Sequence, residues 1–330
     1  MTAKPLARIS RGTPATLARL ARRLRAGELV AVPTETVYGL AANALDARAC
    51  RRIFTAKGRP THDPLIVHIH SLAQLSEIAE VNAAALMLAK KFWPGPLTVV
   101  LPKKSVVPSV VSAGLPSVAV RMPSHPLFRR LLKLAGLPLA APSANPFGYV
   151  SPTSAEHVRA GLGTKIRYIL DGGPCIIGLE STIVDLREPK HPRLLRPGAI
   201  TRTELSHTLG TRVRTTPAKP KTGAQLAPGL LARHYSPRTP VTLHAGLSHA
   251  LATRSPPNEA WIFLARPAKL SGKNIFSLDP HGHLHGVARR LFATLRRVDA
   301  LGFTRIHIEL ARGQGLADAI NDRLRRAAAQ

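Results

Sequence analysis

Short apolar runs alternate with amphipathic stretches of helical period up to residue 205. The predicted strands are Leu29–Val32, Leu65–Ile69, Leu97–Leu101, Val118–Arg121, Leu137–Ala141, Tyr168–Leu170 and Thr182–Leu186. The predicted helices are residues 13–27, Ala47–Thr55, Ala83–Phe92, Pro126–Leu134 and Ala155–Leu162. This alternation predicts an α/β domain over residues 1–205, built on one extended twisted sheet.

The alternation stops at residues 206–240, where Thr211–Leu226 is rich in Thr, Pro, Lys and Gly and predicts a linker. Beyond it the pattern returns over residues 241–330. The predicted strands there are Val241–Leu243, Trp261–Leu264 and Arg305–Ile308, and the predicted helices are His285–Ala300 and Leu316–Ala328. We therefore expect a second, smaller, Rossmann-like α/β domain.

The chain is strongly basic, with 47 Lys and Arg against 18 Asp and Glu, a formal net charge of +29 at pH 7. Because the basic residues extend from end to end, two interpretations stay open: affinity for nucleotide phosphates or RNA, or a general compositional bias. Cys50 and Cys175 give neither a zinc pattern nor a disulfide framework. No apolar stretch reaches the roughly 20 residues of a membrane span, so we expect a cytoplasmic protein without a membrane partner.

Cations stand where helices and strands end. Lys57 and Arg59, predicted to lie in a loop after a helix, either compensate the helix dipole or clamp a phosphate. Arg121 ends an apolar strand and therefore requires an acidic partner or a ligand carboxylate. His68 closes another apolar strand, where a structural role is the more frequent one. Thr34 follows a strand and either caps a turn or holds a small polar ligand.

Ser143, Asn145 and Ser181 add short polar side chains at further strand ends, and Arg196 adds a cation. The sequence has no Walker loop, no GxGxxG after a strand, no GxSxG elbow and no HExxH. A metal could still enter with a nucleotide, since magnesium is commonly held by substrate phosphates and water.

The strings PTETVYGL, KGRPTHDPLIVH, FWPGPLT, VAVRMPSHP, APSAN, SPTSAEHV, GLEST and LLRPGAI follow one another in this order. Together they resemble the YrdC-type threonylcarbamoyl-AMP synthases over residues 14–205, whose Lys-x-Arg and Ser-x-Asn pairs match Lys57/Arg59 and Ser143/Asn145. Pro228-Gly229, the string RHYSP after it and GLADAINDR near the end are similar to the long two-domain form of that family.

The resemblance implies a reaction and its ligands. Threonine's amine takes up bicarbonate or CO₂ to form a carbamate, which attacks the α-phosphorus of ATP and expels pyrophosphate. The product, threonylcarbamoyl-AMP, serves a downstream threonylcarbamoyl-transferase machinery that makes t6A at position 37 of tRNAs reading codons that start with A. Mg²⁺ would come with ATP, on its phosphates, without ligands from protein side chains.

The resemblance also implies roles for individual residues. Catalysis falls to Lys57 and Arg59. Threonine is held by Thr34, His68, Arg121, Ala141 (through its backbone) and Ser181. ATP is held by Lys57, Arg59, Thr61, Ser117, Ser143, Asn145, Ser151, Arg196, His234 and Tyr235. The last two lie in the linker, which we expect to fold back over the first domain as a lid.

Asp63, Phe147 and Leu230 depart from the family pattern, which often has Asn, a small residue and Met there. Two rival functions remain. An RNA-binding module without catalysis predicts salt-dependent RNA affinity and indifference to threonine. A carbamoyl-adenylate-forming enzyme of hydrogenase maturation would carry cysteine-rich zinc motifs.

Overall fold

The computed structural model describes residues 6–215, 225–230, 234–248, 252, 256–268 and 270–329. Residues 216–224 of the predicted linker, and Arg233 in its RHYSP string, lie outside the described residues. Where the chain is described, no helix is long and apolar enough to cross a membrane.

An 11-stranded mixed sheet forms the first domain. Its strands are β1 (Arg8–Arg11), β2 (Val30–Val32), β3 (Gly39–Asn43), β4 (Ile66–His68), β5 (Leu97–Pro102), β6 (Ser117–Arg121), β7 (Leu139–Ala140), β8 (Tyr168–Asp171), β9 (Thr182–Asp185), β10 (Arg193–Arg196) and β11 (Arg214–Thr215). They lie in the order β1-β8-β2-β3-β7-β4-β6-β5-β9-β10-β11. Every strand predicted for this domain is present, and the single extended sheet is confirmed.

Helices cover both faces of this sheet. They are α1 (Pro14–Arg25), α2 (Ala47–Lys57), α3 (Leu72–Ile78), α4 (Ala83–Phe92), α5 (Pro126–Ala135), α6 (Ala155–Leu162) and α7 (Arg202–Leu209). Because strand side chains alternate between faces, Val30 and Val32 pack with α1 and α5, whereas Ala31 packs in the larger core with α2, α4 and α6. The two apolar layers hold the sheet rigid, and its strand-end loops project from it.

The second domain is a 4-stranded parallel sheet in the order β12-β15-β13-β14. Its elements are β12 (Val241–His244), β13 (Glu259–Ala265), β14 (Ile275–Asp279), α8 (Leu284–Asp299), β15 (Arg305–Glu309) and α9 (Leu316–Ala328). Helices α8 and α9 pack their apolar sides on one face of the sheet. A smaller, Rossmann-like α/β domain was expected, and the two-domain architecture is confirmed.

Polar contacts tie the second domain to the first. Tyr149 Oη donates a hydrogen bond to Asp299 Oδ2 of α8 at 2.8 Å. The buried Arg296 donates to the carbonyl oxygen of Val150 at 2.6 Å, and its guanidinium lies 4.8 Å from the centre of the Tyr149 ring. A Cβ on Gly178 would meet the backbone of α8 at 2.5 Å, so the two backbones touch there. The second domain therefore packs against the loops in which the candidate site lies.

Candidate active site

The strand-end loops of the first domain and the linker enclose a cavity of about 40 Å³. It is lined by Thr34, Thr36, Val37, Gly39, Arg59, Ile66, His68, Arg121, Ala141, Pro142, Ser143, Glu180, Ser181, Arg196, Pro228, Gly229, His234 and Tyr235. Most of these residues belong to the strings singled out in the sequence, so loops far apart along the chain meet at one place.

Lys57 is the last residue of α2, which ends at Gly58 in the left-handed conformation. Its Nζ donates to the carbonyl oxygens of Ser143 at 2.6 Å and Asn145 at 2.5 Å, so the Lys-x-Arg and Ser-x-Asn strings are bonded directly. Lys57 is buried, and burial together with the charge of Arg59 holds its pKa well below the ordinary lysine value. An anion arriving beside it would stabilise the charged form. The prediction that this lysine lies in a loop after the helix is wrong, because it is the helix's last residue.

Arg59 is also buried and forms an ion pair with Asp63 at 2.9 Å. It donates further hydrogen bonds to the carbonyl oxygens of Asp63 and Pro64. Burial raises the pKa of Asp63, although the charge of Arg59 opposes that shift. The aspartate that departs from the family pattern is thus the acidic partner of the predicted phosphate-binding arginine.

Arg121, at the end of β6, pairs with Glu35 at 2.6 Å and donates to Thr36 Oγ1 at 2.8 Å. The sequence left open an acidic partner or a ligand carboxylate for this arginine, and Glu35 is an acidic partner. Burial alone would raise the pKa of Glu35, but Arg121 holds it below the ordinary value. Sequence reasoning missed Glu35 because the pair joins residues far apart in the chain; its place inside the PTETVYGL string was the available signal.

Thr34 and His68 line the cavity beside this pair. Thr34 Oγ1 accepts from the backbone N–H groups of Thr36 and Val37, so it caps the turn as well as facing the cavity. His68 pairs with Arg121 across the neighbouring parallel strands. Burial, followed by the charge of Arg121, lowers the pKa of His68 to about 3, so its imidazole is neutral at pH 7. Ala141 also lines the cavity, and its N–H donates to the carbonyl oxygen of Ile66.

Arg196, at the end of β10, also lines the cavity. It donates to the carbonyl oxygen and the hydroxyl of Ser181 at 3.0 and 3.1 Å, and to the carbonyl oxygen of Pro228 at 3.1 Å. Ser181 Oγ also hydrogen-bonds to Thr98 Oγ1 at 2.7 Å. Among the described residues Arg196 takes part in no ion pair, unlike Arg59 and Arg121.

The linker closes the cavity. His234 and Tyr235 are buried, and their rings meet edge to face with centroids 4.1 Å apart. Phe147 packs edge-on against His234 at 6.0 Å, so the large residue after the Ser-x-Asn string contacts the linker. Leu230, in place of methionine, packs against an apolar cluster around Ile66. The predicted fold-back of the linker is seen in its described residues.

Buried polar atoms without a hydrogen-bond partner among the described residues concentrate here. They include His68 Nδ1, Asn145 Oδ1, His234 Nδ1 and Tyr235 Oη. Buried polar atoms are hydrogen-bonded in the great majority of cases, so such a cluster favours a site built to receive a polar ligand.

Several predicted site residues lie outside the cavity lining: Lys57, Thr61, Ser117, Asn145 and Ser151. Lys57 and Asn145 lie directly behind Ser143. Ser151 Oγ donates to Glu180 Oε1, a carboxylate of the GLEST string for which sequence reasoning gave no role. Thr61 is exposed, and Ser117 is at the opposite end of β6 from Arg121.

Comparison with known proteins adds a family context. The Sua5–YciO–YrdC family model, described as telomere recombination, matches residues 22–198. The model described as the threonylcarbamoyl-AMP synthase C-terminal domain matches residues 200–329. Threonylcarbamoyl-AMP synthase of Pyrococcus abyssi is 44% identical over 318 residues, which cover 92% of this chain and 91% of the relative. Its counterpart from Bacillus subtilis is 39% identical over 94% of this chain and 92% of the relative.

A solved structure resembles the whole chain. The crystal structure of P. abyssi Sua5 complexed with L-threonine matches it with a TM-score of 0.90 at 42% sequence identity. The match covers 97% of this chain and 96% of that one, so the likeness includes both domains.

Proposed function

Because the chain belongs to the Sua5–YciO–YrdC family, in the form that carries the threonylcarbamoyl-AMP synthase C-terminal domain, we propose that it is an L-threonylcarbamoyladenylate synthase. It joins L-threonine, bicarbonate or CO₂, and ATP into threonylcarbamoyl-AMP and pyrophosphate. The observation that carries the proposal is the lining of one cavity by Arg59, Arg121 and Arg196 together with hydroxyls and unpaired buried polar atoms.

The reaction proceeds through a carbamate. The threonine nitrogen bonds to the carbon of CO₂ and releases a proton, and a carbamate oxygen then bonds to the α-phosphorus of ATP. The bond from that phosphorus to the bridging oxygen breaks, and pyrophosphate leaves with the electron pair. No covalent protein intermediate is needed. The enzyme positions the reactants and stabilises phosphate charge, and preorganised cations in a water-excluded site do this efficiently.

Threonine fits the half of the cavity around Arg121. Arg121 offers its N–H groups to the carboxylate, while Glu35 balances its charge. The hydroxyls of Thr34 and Ser181 and the neutral imidazole of His68 face the same space and suit the hydroxyl and amine of the substrate. The backbone of Ala141 completes this half of the cavity.

ATP fits the half bounded by Arg59, Ser143 and Arg196, with Lys57 and Asn145 behind it. Ligand pockets usually measure about 300–1,000 Å³, so a cavity of about 40 Å³ has no room for a nucleotide beside threonine. Space for ATP must come from movement of the linker, whose Pro228, Gly229, His234 and Tyr235 bound this half. We propose that the linker reseats over the bound nucleotide and excludes water.

Mg²⁺ would accompany ATP. In the described part of the chain no group of three or more His, Cys, Asp or Glu side chains converges as a metal site. Glu180, the carboxylate of the lining, is already paired with Arg323. This donor set suits an ion held by phosphates and water, which would draw charge from the phosphates.

We further propose a cytoplasmic location, supported by the two cysteines, Cys50 and Cys175, which are both free. The product would pass to a transferase acting on tRNA. Weak RNA binding would use an open groove whose basic residues are Arg52, Lys165 and Arg167. Such binding accompanies catalysis in this proposal and does not replace it.

The rival assignment to hydrogenase maturation is not favoured by the comparisons.

The proposal is tested by following the carbon of bicarbonate into a nucleotide product. Purified protein is incubated with ATP, threonine and ¹⁴C-bicarbonate, and nucleotides are separated. We expect label in a new AMP-linked product that forms only when threonine is present. Label that enters nucleotide without threonine, or no labelled nucleotide at all, would contradict the proposed reaction.

A further inference from the structure

A carboxylate lines a cavity that is otherwise basic. Glu180 belongs to the GLEST string just before β9, and its side chain is 7% exposed. It directly precedes Ser181, whose carbonyl oxygen and hydroxyl accept hydrogen bonds from Arg196, and both Glu180 and Arg196 line the cavity. Left alone, Glu180 would repel an anionic ligand and would also be the natural ion-pair partner for Arg196. Either effect would weaken phosphate binding, so the presence of this carboxylate requires an explanation.

The second domain supplies its counter-charge. Arg323 extends from α9 and is fully buried, and its Nε donates to Glu180 Oε2 at 2.8 Å. The other oxygen of Glu180 accepts from Ser151 Oγ. Both oxygens are therefore occupied by groups other than Arg196, which takes part in no ion pair among the described residues.

Arg323 also fixes the surroundings of Arg196. Its Nη2 donates at 3.0 Å to the carbonyl oxygen of Pro197, the residue after Arg196. Its guanidinium carbon lies 5.3 Å from the centre of the Tyr235 ring. Asp322 accepts from its Nη1 at 2.6 Å, which holds the guanidinium plane in place. One buried side chain thus touches the carboxylate, the arginine loop and the linker at the same time.

We propose that Arg323 is a positioning residue, contributed by the C-terminal domain, that neutralises Glu180 and so keeps Arg196 available for the phosphates of ATP. The proposal rests on the proposed function for the identity of the anion. It gives the second domain a part in the active site, although none of that domain's described residues lines the cavity. Removing one member of a buried ion pair leaves the other charge uncompensated, and that charge then seeks a new partner.

The test compares Arg323→Met, Arg323→Lys and the double variant Arg323→Met/Glu180→Gln with the unchanged protein. Tyr149→Phe is the matched control, because it removes a cross-domain hydrogen bond, to Asp299, without touching the cavity. The readouts are the dissociation constant for ATP by calorimetry, KM and kcat for pyrophosphate release, and the melting temperature.

We expect Arg323→Met to raise the dissociation constant and KM for ATP by at least about tenfold. Adding Glu180→Gln should restore most of the affinity, because the unpaired carboxylate is then gone, and Tyr149→Phe should bind ATP normally. Arg323→Lys keeps the charge and should lose less affinity than Arg323→Met. A purely structural role predicts no rescue by Glu180→Gln.

Absence of rescue in a folded double variant would overturn the proposal. If the methionine variants do not fold, the lysine variant decides: ATP affinity near that of the unchanged protein supports neutralisation, and a tenfold or greater loss in a folded lysine variant refutes it. Failure of the unchanged protein to release pyrophosphate would refute the proposed function instead. The dissociation constants for ATP would still test whether Arg323 acts by neutralising Glu180.

Discussion

At the scale of single residues, the cations of the site differ in how they are paired. Arg59 and Arg121 each share a buried ion pair with an acidic residue, whereas Lys57 and Arg196 bond to uncharged oxygens. An incoming polyanion therefore gains most from Arg196, which lines the cavity and takes part in no ion pair among the described residues, whereas Lys57 would act from behind Ser143. This distinction was invisible in the sequence, where all four are simply basic residues at element ends.

Lys57 is expected to matter for the reaction. Lys57→Met keeps much of the aliphatic stem and removes the ammonium group, and pyrophosphate release should fall at least about tenfold, equivalent to about 1.4 kcal/mol of transition-state stabilisation. Lys91→Met is the matched control, because Lys91 is an exposed lysine in the last turn of α4. Rates that fall equally little in both variants would show that Lys57 serves only the helix end. Melting curves are needed alongside, since Lys57 is buried.

His68 should make stability depend on pH. Its native pKa of about 3 is below the unfolded value of 6.5, so between these values the unfolded chain binds more protons than the native one. The free energy of unfolding should therefore decrease on acidification below pH 6.5, by about 1.4 kcal/mol per pH unit from this group.

The half-buried His157 and the buried His234 also have a lowered pKa and add to the same slope, so His68→Gln is compared with the unchanged protein. In urea unfolding, the decrease in the free energy of unfolding from pH 7 to pH 5 should be smaller in the variant. Identical losses in the two proteins would mean that His68 is not held neutral in the native state.

At the scale of elements, the apolar runs predicted strands where strands are buried and failed where they are polar or small. β1 and β10 are the arginine-flanked segments RISR and RLLR, β3 is GLAAN and β11 has only two residues. Such segments become strands because neighbouring strands offer backbone partners, which no local pattern records. The Thr201–Glu204 capping box was a usable signal for the start of α7. The apolar periodicity of this segment is weak, so it gave no second indication of a helix.

The linker is the element whose conformation matters most. Tyr235 has a φ of 62°, a left-handed backbone that bulky residues rarely adopt, and strain of this kind is frequent at ligand clamps. Gly229 has a φ of 78°, and a Cβ there would approach Tyr235 Oη to 2.4 Å and Arg196 Nη1 to 3.0 Å. This glycine therefore allows the closed arrangement of the linker over the site.

Gly229→Ala should accordingly slow pyrophosphate release and reduce the protection from protease that ATP and threonine give to the linker. Gly210→Ala is the control: Gly210 has a φ of 64° at the end of α7, but a Cβ there meets nothing within 4 Å. Both variants carry a similar backbone cost of about 1–2 kcal/mol for alanine in the left-handed conformation, and only Gly229→Ala adds the clash. Equal pyrophosphate release and equal protease protection in the two variants would contradict the proposal that the linker acts as a lid.

At the scale of the whole molecule, the predicted linker joins two domains that are not independent. Val37, Val150 and Leu179 of the first domain pack into the core of the second. Truncating the chain in the linker would therefore expose apolar surface and leave Glu180 without Arg323 as well as removing the lid. Point variants separate these effects, and a truncation does not.

The sequence predicted the two-domain α/β fold and the loops of the site because apolar period and short strings are local. It could not predict the Arg323–Glu180 contact, which depends on how the domains pack. Nor could it predict that Arg59 pairs with Asp63 and Arg121 with Glu35. These pairings arise only when the loops meet in three dimensions.

Pyrophosphate release from ATP tests the central claim most directly. With threonine and bicarbonate present the account predicts steady release, which stops when threonine, bicarbonate or ATP is omitted in turn. Valine in place of threonine should be rejected strongly, because it leaves polar groups of the site unpaired, whereas serine should cost only about 1–3 kcal/mol for one methyl group. Pyrophosphate release that is indifferent to threonine, or equal with valine and threonine, would contradict the account.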